Sequence, residues 1–149
     1  VTDLFDAAGV AAIEARIDAW LAAARTANPV IEAVDRAEGD ERRWYVRMRG
    51  EEKDVITVWL TLGQRTLRYE TYVLPAPARR AEAVYEHLLR RNERFVGAHF
   101  SIGDEDAVFL RGELPLGALN EAELDRILGT LYADVEQVFP VLVRLAFAP

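Results

Sequence analysis

Residues 59–74, WLTLGQRTLRYETYVL, do most to constrain how this chain folds. Together with the preceding VITV they alternate apolar and polar side chains at period two, the signature of half-buried strands. Gly63-Gln64 suits a two-residue type II′ turn, because glycine takes the positive φ needed at the first central position. Counting outward pairs Leu62 with Arg65, Leu60 with Leu67, Trp59 with Arg68, Val58 with Tyr69 and Thr57 with Glu70. One face then holds Ile56, Val58, Leu60, Leu67, Tyr69 and Val73. The other holds Thr57, Trp59, Thr61, Thr66, Arg68, Glu70 and Tyr72. A slip of one residue would turn the apolar set to solvent.

The rest of the chain is read around this hairpin. Residues 9–27 predict an amphipathic helix, with Val10, Ile13, Ile17, Trp20, Leu21 and Ala24 at three- and four-residue steps and Asn28-Pro29 to stop it. Residues 30–38 are ambiguous; Val30, Glu32 and Val34 could alternate in a short edge strand. Residues 43–49 set Trp44, Val46 and Met48 on one side and Tyr45, Arg47 and Arg49 on the other. Pro75 and Pro77 end the hairpin and open a helix over about 78–93. Residues 97–102 and 107–112 form a second hairpin, apolar on both faces and expected to be buried on both sides. The last helix starts at an Asn120…Glu123 capping arrangement and carries a wide apolar stripe from Leu124 to Val143. Pro140 predicts a kink or break near 136–140. The expected fold class is α+β: a mainly antiparallel sheet of five to six strands packed with three helices, in the order α-β-β-β-α-β-β-α. Residues 1–149 are expected to form one domain.

Composition narrows the chemistry. The chain has no cysteine, which excludes disulfides, thiolate metal sites and a cysteine nucleophile and fits a reducing cytoplasm. No apolar run approaches a membrane span, and residues 1–6 are acidic where a signal peptide would be basic. The net charge of −7 argues against general nucleic-acid affinity. The charge is uneven: residues 42–95 carry twelve Lys and Arg against seven Asp and Glu, leaving +5 there and −12 for the two ends. That pattern fits complementary charge within the fold or between subunits. Its sharper form is a basic groove for an acidic partner, to which Arg79, Arg80, Arg90, Arg91 and Arg94 could contribute.

No catalytic constellation, metal site or cofactor motif emerges. Asp104-Glu105-Asp106 reads as a solvated turn, since no later bidentate glutamate completes a calcium loop. His87 and His99 match no zinc spacing; His87 is expected at the surface and His99 partly buried or hydrogen-bonded. Ser101 has no neighbouring base to activate it. The candidate site is instead the outward hairpin face with its neighbouring strand: Tyr45, Arg47, Trp59, Arg68, Glu70 and Tyr72. Trp59 opposite Arg68 permits a cation–π contact. Exposed Trp, Tyr and Arg are the residues that anchor interfaces.

Several of these segments resemble the YbjN family of bacteria, described as sensory transduction regulators. They are WYVRM at 44–48, VWLTLGQRTLRYETYVLPAP at 58–77, YEHLLRRN at 85–92, IGDEDAV at 102–108 and LDRILGTLY at 124–132. The resemblance covers most of residues 40–147. It implies a type III secretion chaperone-like α+β fold that is commonly a dimer, and it carries over no catalytic residue. The chain is therefore expected to be a non-enzymatic regulatory or chaperone-like protein-interaction module, a homodimer with a protein partner. The alternative is a small-ligand sensor or enzyme, with the same six residues lining a pocket between sheet and helices.

Overall fold

The computed structural model describes residues 3–149; the expectation for the acidic N-terminal segment therefore falls partly outside the described residues. Helix α1 (Ala7–Ala27) leads into four strands: β1 (Ile31–Arg36), β2 (Arg43–Arg49), β3 (Val55–Leu62) and β4 (Thr66–Leu74). Helix α2 (Ala81–Asn92), strands β5 (His99–Ile102) and β6 (Val108–Pro115), and helix α3 (Glu121–Phe147) follow. The ambiguous segment after α1 is an edge strand, so the order becomes α-β-β-β-β-α-β-β-α. All neighbours pair antiparallel in one sheet of order β1-β2-β3-β4-β6-β5.

Alternation decides which side of the sheet the helices cover. Trp44, Val46, Met48, Ile56, Val58, Leu60, Leu62, Leu67 and Tyr69 are all buried on one face. Against them pack Ile13, Ile17 and Leu21 of α1 and Leu124, Ile127, Leu131, Val135, Val138 and Leu142 of α3. The wide stripe of α3 is used because that helix meets strands β3 and β4 and both other helices. Helix α1 starts before its apolar stripe because the Asp6 carboxylate accepts the Gly9 N–H at 2.7 Å, an N-cap.

The central hairpin keeps its faces but not its pairing. Leu62 pairs with Leu67, Thr61 with Arg68, Leu60 with Tyr69, Trp59 with Glu70 and Val58 with Thr71. Every partner is displaced by two residues, which leaves inward side chains inward. The two-residue loop is Gln64-Arg65, closed by the Gly63 N–H on the Thr66 carbonyl at 3.0 Å. Gly63 is not in the positive-φ region, so no type II′ turn forms there. The loop is held from outside the hairpin: the Gln64 carbonyl accepts from Phe5 N–H at 2.8 Å and the Arg65 carbonyl from Leu116 N–H at 3.0 Å. Those tertiary bonds outweigh the local preference of glycine.

Three other expectations change. Helix α2 begins at Ala81 because Arg80 sits at φ 49° and sends its guanidinium to the C-terminus of α3. There it donates to the carbonyls of Leu145, Ala148 and Pro149 at 2.9, 3.1 and 3.1 Å. Helix α3 runs unbroken through Pro140. The proline removes one ladder bond, while buried Val138 and Leu142 hold the chain on either side of it. Strands β5 and β6 are not covered on both sides: Phe100, Val108 and Leu110 are buried, but Phe109 is half-buried and Ile102 is 52% exposed. β5 is the edge strand, and the helices cover only one face.

The turn between β2 and β3 is tied to α3 by one carboxylate. Glu136 accepts the N–H groups of Glu51, Glu52 and Lys53 at 2.8, 2.8 and 3.1 Å. Successive N–H groups converging on one anion form a nest. Gly50 makes room for it, since a Cβ there would lie 1.9 Å from the Lys53 carbonyl oxygen and 2.7 Å from Glu136 Oε1. Replacing Glu136 with Ala is expected to cost about 1.5–3 kcal/mol in urea unfolding, the range for a hydrogen bond to a charged group. An unchanged unfolding midpoint would show that the turn stands without it.

Candidate functional site

The uncovered face of the sheet gathers all six residues singled out from the sequence. One cross-strand row runs the full width of the sheet: Asp35, Tyr45, Trp59, Glu70, Arg111 and His99. On one side lies the row Arg43, Thr61, Arg68 and Glu113. On the other lie the cross-strand pairs Arg47 with Thr57 and Tyr72 with Phe109. Trp59 is 36% and Tyr72 41% exposed. Period-two alternation is what aims these side chains away from the core.

Contacts within the face differ from the expected ones. Trp59 faces Glu70 across the strands, and the cation over its ring is Arg43, at 5.4 Å, not Arg68. The two-residue shift in pairing carries Arg68 to Thr61. Tyr45 packs edge-on to Trp59 at 5.7 Å, and Tyr72 does the same with Phe109 at 5.7 Å. Arg111 lies 4.2 Å over the Phe109 ring and 3.6 Å from the Glu70 carboxylate. Arg47 pairs with Glu32 at 3.6 Å. Arg68 has no hydrogen-bond or ion-pair partner among the described residues. It borders a shallow depression of about 400 Å³, shared with Glu70, His99, Ser101, Arg111 and Glu113.

Arg43, Phe109, Arg111 and His99 belong to this face and were missed. The Phe109, Arg111, Glu113 alternation in β6 was the available signal, obscured by the apolar Val108 and Leu110 between them. The two histidines exchange their expected settings. His99 is exposed because its strand position points to the open face, whereas His87 is half-buried beside Val84 and Leu88. Burial, and then the nearby charge of Arg91, holds His87 below its ordinary value.

Chemistry on the open face is sparse. The partner of the Ser101 hydroxyl is Arg111 at 3.4 Å, a cation that cannot take its proton. Among the described residues, no group of three or more His, Asp and Glu side chains could hold a metal ion. Nor is any helix among them long and apolar enough to cross a membrane. The six residues do not line a pocket between sheet and helices, as the small-ligand alternative requires. They lie on the opposite side of the sheet, because the inner side is filled by the core.

This architecture is the type III secretion chaperone-like α+β fold. The chain matches, with a TM-score of 0.57 and 17% identity, a chain in the heterodimeric ExoU-SpcU complex from the type III secretion system of Pseudomonas aeruginosa. The match covers 85% of this chain and 97% of that one. The chain belongs to the YbjN family, whose model, described as "Putative bacterial sensory transduction regulator", matches residues 13–144. Uncharacterised proteins of Mycobacterium bovis and Mycobacterium tuberculosis are each 34% identical over 102 residues, 68% of this chain and 56% of theirs. One from Mycobacterium leprae is 30% identical over 105 residues, 70% of this chain and 57% of its own. The chain thus spans little more than half the length of these relatives.

The strongest titration effect lies away from this face. Asp134 of α3 has a buried Oδ2 with no hydrogen-bond partner among the described residues, and burial pushes its carboxyl up to about 6. The folded chain therefore holds this proton more tightly than the unfolded one, whose value is about 4. Its contribution favours folding at low pH and is lost as pH rises from about 4 through about 6. Asp134→Asn should flatten that slope in urea unfolding measured across the window. Parallel wild-type and variant profiles would contradict this assignment.

Proposed function

We propose that this chain is a non-enzymatic regulatory or chaperone-like protein-interaction module, working as a homodimer in the cytoplasm, that binds a partner protein on its open sheet face. The observation that carries the reading is a full sheet face left uncovered with Trp59 and Tyr72 exposed upon it. Aromatic and arginine side chains in this density act as anchors, because they offer large contact areas and several donors. The anchors are Tyr45, Arg47, Trp59, Arg68, Glu70 and Tyr72. Arg68 is available to a partner carboxylate because no side chain among the described residues engages it. The fold neighbour, a chain from a heterodimeric complex, adds support by analogy.

A co-purification from native cells, analysed by mass spectrometry, tests this directly. Trp59→Ala and Arg68→Glu should each reduce partner recovery at least tenfold relative to the wild type, about 1.4 kcal/mol of binding. Both positions are exposed, so the variants should remain folded. Equal recovery by folded wild type and variants would remove this face as the binding surface.

The small-ligand reading has two places to be tested, the depression beside Arg68 and Arg111 and the cavity of about 390 Å³ between α1 and α3 beside Ile31 and Met48. A thermal-shift screen with metabolites and nucleotides is expected to give no stabilisation, whereas a ligand bound to the native state would raise the melting temperature.

A further inference from the structure

We propose that Lys53 is an acylation site, an amine that takes an acyl group from a thioester at the border of the open sheet face. Of the eighteen Lys and Arg side chains in the sequence, Lys53 is the single lysine. The difference is chemical. An arginine keeps its proton, whereas a lysine amine can shed one and become a nucleophile. Where the fold needs a permanent cation for its ion pairs and caps, as at Arg36, Arg80 and Arg126, it uses arginine.

The surroundings of the amine come from three elements. Lys53 stands half-buried in the turn after β2, and its backbone N–H is one of those held by Glu136, which fixes the turn. Nζ lies 5.8 Å from the centre of the Tyr72 ring of β4 and 5.7 Å from that of Phe139 of α3. It donates to the Val55 carbonyl of β3 at 3.1 Å. No carboxylate among the described residues forms an ion pair with it. Burial holds the amine below its ordinary value, while the charges of Asp54 in the turn and Glu136 in α3 pull weakly the other way. A lysine desolvated against apolar groups is an activated nucleophile.

Charge selects the donor. Glu51, Glu52, Asp54 and Glu136 surround the turn with negative charge, which repels a donor whose leaving group is a phosphate. A thioester reacts at an uncharged centre. The neutral Nζ attacks the thioester carbonyl carbon, the C–N bond forms, the C–S bond breaks, and the amine proton leaves with the thiol. The product is a neutral amide against two rings, and the turn loses its one cation. Tyr72 is among the anchors proposed above, so an effect on partner binding rests on that reading; the reactivity of the amine does not.

Incubating the folded chain with the uncharged thioester S-acetyl-N-acetylcysteamine, followed by peptide mapping, tests the site. Lys53 should gain one acetyl group several-fold faster than the free amine of Nα-acetyl-lysine amide at mildly alkaline pH. The midpoint of its rate–pH profile should lie below that of the free amine. A rate and midpoint equal to those of the free amine overturn the site. Tyr72→Ala, at an exposed position, should leave the chain folded and slow the reaction; an equal or faster rate overturns the activation by the rings. Acetyl phosphate should show a smaller advantage for Lys53 over the free amine. An advantage as large as the thioester's overturns the choice of donor. The acetylated chain should recover less partner from native cells than the unmodified chain. Equal recovery overturns the effect on the face and leaves the acylation site standing, while the face itself is tested by the Trp59 and Arg68 variants.

Discussion

One-sided burial of the sheet is the constraint on which the rest of the molecule depends. Val46, Ile56, Val58, Leu60 and Leu67 are completely buried, and all point to the side where α1 and α3 lie. Three helices suffice to cover one face of six strands and cannot cover two. Strand alternation then fixes the composition of the other face, since each buried valine or leucine is followed by a side chain aimed at solvent. Trp44 joins the layers at one edge. It is buried, its indole N–H donates to Asp18 at 2.8 Å, and Arg36 lies 4.5 Å over its ring.

Charged side chains serve mainly to fasten elements to one another. Glu14 of α1 receives Arg36 and Arg42 at 2.8 and 2.9 Å, closing α1 onto the β1–β2 edge. Those arginines hold its carboxyl below the usual range, against an opposing effect of burial. Arg80 closes the end of α3, and Glu136 gathers the turn after β2. Much of the imbalance between a basic middle and acidic ends is thus resolved inside the fold. The Arg68 guanidinium differs, because no carboxylate or carbonyl among the described residues engages it.

This division has a functional consequence. The open face combines aromatic side chains with both signs of charge, and the proposed partner binding rests on that mixture. On the inner side a cavity of about 390 Å³ lies where α1 and α3 part beside Ile31 and Met48, and none of the six open-face residues lines it.

The sequence by itself determined the class of fold, the three helices, every strand but β1, and the side of the sheet on which Tyr45, Arg47, Trp59, Arg68, Glu70 and Tyr72 stand. Periodicity carries that information, because burial of one face selects alternate residues whatever the pairing partner. Only the tertiary structure decided which residues face one another. The hairpin pairing moved by two because Phe5 and Leu116 bind the loop carbonyls, bonds from segments distant in sequence. The start of α2 was set by an arginine capping a different helix, and Phe109 and Arg111 reached the open face through the placing of β6 beside β4. Local patterns report which way a side chain points; its neighbour depends on how separate segments close upon each other, which no short stretch of sequence encodes.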